Sequence, residues 1–142
     1  MSATNYLETA LLNLVFNKTL DAIFGTLSGT GDASYYLALF TADPTESGGL
    51  AAEATYGSYA RIAVARTAGG WTVSGNQASN TALVQFVKST LTAADVTHVG
   101  VMSGATPGAG TMLISLQLTT PTPTTTGIQP QFDAGTLVFT VD

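Results

Sequence analysis

The side chains able to do chemistry are few, and they are scattered along the sequence. The single histidine sits in Asp95-Val-Thr-His98-Val-Gly-Val-Met102. Alternation there puts Val96, His98, Gly100 and Met102 on one face of a strand. A nucleophilic mechanism would require a neighbouring nucleophile and an orienting acid. The chain has no cysteine and no Gly-x-Ser-x-Gly elbow. One histidine does not make a zinc set, so His98 is expected to be packed and hydrogen-bonded within a sheet. Asp43 and Glu46 flank Pro44 and Thr45. Paired carboxylates serve glycoside hydrolysis or calcium binding, but no further acids follow at alternating spacing, and the pair reads as a solvated turn. Gly29-Thr-Gly31 precedes a strand instead of following one, which is the wrong context for a phosphate cradle. Arg61 has two readings. It is either a bridge from a half-buried guanidinium to a carboxylate or carbonyls, or an interface contact. Trp71, Tyr56 and Tyr59 are interface anchors or, as is usual for aromatics in a small domain, core.

Composition narrows the function classes. A chain of 142 residues fits one domain, residues 1–142, long enough to bury a core without staples. Only 9% of residues are charged, with a net charge of -5 and four Lys plus Arg, against about 25% charged in a typical soluble domain. So few cations argue against a nucleic-acid surface and against an anionic membrane. A surface of Thr, Ser, Gly, Ala and Asn loses less on leaving water than an ionic one does, which suits contact with other chains. Glu8 interrupts the apolar N-terminus, and no basic segment precedes it, so no secretory signal is expected. No run approaches the ~20 apolar residues of a membrane span. No cofactor is expected.

The elements that would position these residues follow from periodicity. Asn5 to about Phe16 reads as a helix, with Asn5 as cap and Glu8 three residues on. Leu7, Leu11, Leu14 and Val15 make one stripe, and Leu12 and Phe16 broaden it. Leu20, Ile23, Phe24 and Leu27 either continue it or form a second short helix, within an N-terminal helical segment taken as residues 1–27. Tyr35–Thr41 is a short aromatic-rich run ending at Asp43-Pro44, and reads as a buried strand. Ala42–Tyr56 reads as a long loop. Further strands are expected at Tyr59–Ala65, Trp71–Val73, Asn80–Val87, Val96–Met102, Met112–Leu118 and Gly135–Val141. A hairpin turn is expected at Ala68–Gly70, a helical turn at Thr90–Asp95 and a Gly-rich turn at Ser103–Gly110. Pro121 and Pro123 confine Thr119–Thr126 to a loop or a sheet edge. About seven short strands with regular turns predict a mainly β protein, with a single-domain antiparallel β-sandwich (jelly-roll-like) over 33–142 and an N-terminal α-helix.

Several segments in order, Asn5-Tyr-Leu-Glu-Thr-Ala-Leu-Leu-Asn13, Tyr36-Leu-Ala-Leu-Phe-Thr-Ala-Asp-Pro-Thr45, Tyr59-Ala-Arg61, Val96-Thr-His-Val-Gly-Val101 and Phe132 with Ala134-Gly-Thr-Leu137, resemble a family of small tailed-bacteriophage structural proteins. These are tail-fibre-like proteins and trimeric capsid cement, or head decoration, proteins. The chain departs from that pattern at Phe86-Val87, in the length before Tyr35 and in its Pro/Thr stretch. The resemblance implies no enzymatic activity. It implies a cement protein on the outer capsid surface of the virion, with the major capsid protein and itself, as a homotrimer, for partners. The alternative is a tail-fibre or host-surface-binding component. On the cement expectation the interface residues are Leu7, Leu11, Leu14 and Phe16 of the helix, Glu46, Leu50 and Tyr56 of the loop, and Arg61.

Overall fold

The computed structural model describes residues 5–17 and 33–141. The helical continuation expected over Leu20–Leu27 and the Gly29–Gly31 loop lie outside them. The helix α1 spans Asn5–Asn17, and nine strands follow among the described residues. β1 (Ser34–Phe40), β2 (Ile62–Ala65), β6 (Val96–Met102) and β7 (Met112–Thr122) form one sheet in the order β2-β1-β6-β7. β3 (Trp71–Ser74), β4 (Gln77–Asn80) and β9 (Val138–Thr140) form a second. β5 (Val84–Gln85) and β8 (Gln131–Phe132) make a two-stranded ribbon. Every pairing is antiparallel. The mainly β class with one N-terminal helix is as the sequence predicts.

β1 is apolar on both faces because both faces are covered. Leu37 and Leu39 point into the main core with Val99 and Val101 of β6. Ala38 and Phe40 point the other way, into a smaller cluster with Met102. That second face is roofed by the loop after β1, whose Leu50 and Ala52 pack on the cluster with Met112 and Tyr36. Backbone bonds from Thr41 to Ala52 (2.8 Å) and from Ala54 to Leu39 (2.8 Å) pin the roof to the strand. Gly100 lies under it. A Cβ there would come within 2.8 Å of the Phe40 ring and 3.0 Å of the Met112 sulfur.

The helix packs on β3 and β4. Glu8, Leu12 and Phe16 are buried, one residue every four along one face of the helix, and Ala10 is buried beside them. Leu11 is 40% exposed, so the stripe through Leu11 and Leu14 is not the one that faces the core. Phe16 meets Trp71 at 4.6 Å between ring centroids, and Trp71 in turn meets Phe139 at 6.1 Å. Arg66 donates to the carbonyls of Val15 (2.7 Å) and Leu14 (3.2 Å). It thereby satisfies C-terminal helix acceptors and complements the dipole, while lying 4.5 Å over the Tyr35 ring.

Several boundaries differ from the sequence expectation. The turn at Ala68–Gly70 is no hairpin, since β2 and β3 belong to different sheets. Gly70 and Trp71 both donate to the Thr67 carbonyl, a tight corner that sends Trp71 into the core. The hairpin instead joins β3 to β4 through Gly75, at φ 59°. Of the strand expected over Asn80–Val87, Asn80 ends β4 and only Val84 and Gln85 form β5. Thr90–Asp95 has no helical turn, because hydroxyls satisfy the local backbone. Ser89 Oγ donates to the Leu91 carbonyl (2.6 Å) and Thr124 Oγ1 to that of Ala94 (3.0 Å). β7 runs on through Pro121, which its position at the sheet edge permits.

Candidate interaction site

Glu53 and Arg61 form a buried, two-pronged ion pair. Arg61 Nε lies 2.7 Å from Oε1, and Nη2 lies 2.8 Å from Oε2. Arg61 Nη1 donates to the carbonyls of Gly104 (2.7 Å) and Ala109 (2.9 Å). Gly108 N–H donates to Oε2 (2.7 Å), and the Tyr59 hydroxyl to Oε1 (3.0 Å). Tyr59 also accepts from Leu39 N–H at 3.0 Å. The network thus ties the roof loop, the segment into β2 and the β6–β7 turn into one body. Burial pushes the Glu53 carboxyl up, but the Arg61, Gly108 and Tyr59 hydrogen bonds and the Arg61 charge outweigh it, so its pKa lies below the ordinary carboxylate value. Burial raises the Tyr59 phenol strongly, and the Glu53 charge adds to the rise against the Leu39 bond. Tyr56, whose hydroxyl donates to the Val87 carbonyl at 3.1 Å, is pushed up to about 12 by burial. Of Arg61's two readings, the geometry fills the structural one. Glu53 escaped the sequence reading; its signal was a lone acid within Leu50-Ala-Ala-Glu53-Ala.

Beside this body lies an open cleft of about 750 Å³ between residues 43–48 and 110–115. Its outer wall is a stiff turn. Asp43 Oδ1 accepts from Thr45 N–H at 2.8 Å, Gly49 N–H donates to the Pro44 carbonyl at 2.8 Å, and the Thr45 and Ser47 hydroxyls are 2.7 Å apart. Thr45 is held at φ 59°, a conformation a β-branched residue adopts only when its surroundings dictate it. Asp43 and Glu46 stand exposed on this wall, as expected of a solvated turn. The facing strand supplies Met112 and Ile114. Such a cleft offers hydroxyls and hydrogen-bond acceptors over an apolar floor.

A second, apolar groove of about 310 Å³ runs between α1 and β7, lined by Leu11, Val15, Leu113, Ile114 and Val141 among others. Leu11 and Leu113 are both exposed. Of the residues expected at an interface, Leu11 and Glu46 reach the surface and Leu14 is half-buried. Leu50 is half-buried in the roof. Phe16, Tyr56 and Arg61 are buried inside the protein, where core packing and the ion pair occupy them, so their side chains are not presented to a partner. The Leu7 side chain lies outside the described residues. His98 is buried, with its Nδ1 2.9 Å from the Thr97 hydroxyl.

The protein family described as Podophage GP4 fiber I protein gp80 matches residues 2–140. No curated protein matches the chain.

Proposed function

This chain belongs to the Podophage GP4 fiber I protein gp80 family, and on that premise we propose that it helps build a fibre of the phage virion through non-covalent contacts, with no catalytic step. It is a structural component of the virion. The observation that carries the finer reading is the match to a fibre-protein family over residues 2–140. That description favours the fibre expectation over head cement. The chemistry of the chain agrees. A chain with only 9% charged residues presents a surface that is cheap to desolvate against other proteins. The Glu53–Arg61 network braces the loops that would meet a neighbour. Its partners are other virion proteins and copies of itself, not nucleic acid or membrane.

The test is cryo-electron microscopy of the particle with a labelled antibody against this chain. Label on tail fibres is the expected result. A regular lattice of label on the head would overturn the fibre reading and restore head cement. The non-enzymatic part is checked by incubating the protein with host surface polysaccharide and assaying released sugar. None is expected, and release that disappears in Asp43→Ala or Glu46→Ala would refute it.

A further inference from the structure

We propose that β7 is a self-association edge, which pairs antiparallel with β7 of a second copy about a two-fold axis. The pairing joins two four-stranded sheets into one. β7 is the longest strand among the described residues, running Met112–Thr122, and it ends its sheet. Its ladder to β6 uses one side of the backbone. Among the described residues, its backbone forms no other hydrogen bond. A free edge of this length is a template for another strand, and proteins usually blunt such edges with charge, brevity or cover. The other edge of the sheet is treated that way. β2 has four residues. The corner at Gly70 abuts the Ala65 carbonyl, and residues 82–84 flank the strand across a narrow gap. Among the described residues, β7 has no comparable cover along its length.

The charge distribution selects a second copy as the occupant. The chain carries a net charge of -5, yet no Asp, Glu, Lys or Arg occurs from Val99 to Phe132. Two like-charged copies approach with least repulsion where that charge is absent. A strand paired with itself also matches its own pattern. Ile114, Leu116 and Leu118 face the core, while Leu113 and Gln117 face solvent, so apolar meets apolar and polar meets polar across the axis. A bulge between the partners of Val101 and Met102 at one end, and a larger register shift between Gln117 and Thr122 that takes in Pro121 at the other, frame the pairing segment. The apolar groove beside Leu113 and Ile114 continues the same surface onto Leu11. The pairing does not depend on where in the virion the chain sits.

The chain has no cysteine, so a single introduced one reports contact directly. Residues opposed across antiparallel strands have Cα atoms about 4.5–5.5 Å apart, within the roughly 4.4–6.8 Å a disulfide spans. Ser115→Cys, Gln117→Cys and Thr119→Cys are compared with Leu91→Cys under mild oxidation, with mass measured by light scattering. The wild-type chain is expected as a two-chain species. At least one of the three strand variants is expected to link into a covalent dimer faster than the Leu91 variant. Gln117→Lys, which places like charges across the axis, is expected to shift the mass to one chain with an unchanged circular dichroism spectrum. A monomeric wild type, a three-chain mass without strand cross-links, or cross-linking no faster than at position 91 would each overturn the pairing.

Discussion

Replacing Arg61 by Met tests the buried network most directly. The methionine keeps much of the aliphatic stem but leaves the Glu53 carboxylate buried with only the Tyr59 hydroxyl and Gly108 N–H as donors. It also strips the Gly104 and Ala109 carbonyls of a donor. Breaking a buried pair from one side costs about 3–5 kcal/mol, because the surviving charge is uncompensated. For 142 residues each kcal/mol moves Tm by about 3 °C. A fall of about 10–15 °C at pH 7 is therefore expected in thermal melts followed by circular dichroism. The double variant Glu53→Gln with Arg61→Met should recover a large part of it, since no charge is left buried. The sign with pH is fixed. In the wild type the depressed Glu53 pKa contributes stability that is full above the unfolded carboxylate value and is lost as pH falls through the folded one. In the variant the carboxyl takes up a proton readily, so the gap between the two proteins narrows as pH drops below about 4.5. A shift under about 3 °C at pH 7, or a double variant no more stable than the single one, would refute the reasoning.

Further perturbations reach other parts of the fold. Arg66→Ala removes donors to the Val15 and Leu14 carbonyls and should cost about 1–2 kcal/mol. Hydrogen exchange would show the loss concentrated in α1, and uniform loss would contradict it. Gly100→Ala drives a methyl into the Phe40 ring and the Met112 sulfur, and is expected to destabilise by about 1–3 kcal/mol. Met112→Ala in the same chain should relieve part of that clash, as read in chemical denaturation. Tyr56, with its folded pKa raised to about 12, contributes stability that is full below the unfolded value near 10 and declines as pH rises through the folded one. Tyr56→Phe should cost about 1 kcal/mol at pH 7 for its lost bond to Val87. It should also flatten the alkaline decline; an unchanged slope between pH 10 and 12 would count against it.

The class of fold was legible because period-two alternation and turn residues are local signals. β1, β6 and the first half of β7 were placed within a residue or two, and the missing donor of Pro121 limited its stretch to a loop or an edge, of which β7 takes the edge as far as Thr122. The helix was legible as a helix, but not its orientation. Its broad apolar surface holds more than one stripe, and the choice of Glu8, Leu12 and Phe16 as the buried line was made by Trp71 and β3, more than fifty residues away. The same limit governed Arg61. Its local sequence allowed a bridge or an interface, and only the approach of Glu53 and the turn at Gly104–Ala109 decided it.

What the sequence determined alone, then, are properties each residue carries with it. These are the sparse charge, the absence of cysteine, the antiparallel β character and the long uncharged stretch that ends at Phe132. Tertiary structure decided everything that depends on which segments meet. It turned the long loop after β1 into a roof over Phe40. It turned the supposed hairpin at Gly70 into a corner between sheets, and among the described residues it left β7 with a bare edge. Local pattern fixes a strand's two faces, but its neighbours are set by chain closure over distances that no local period encodes.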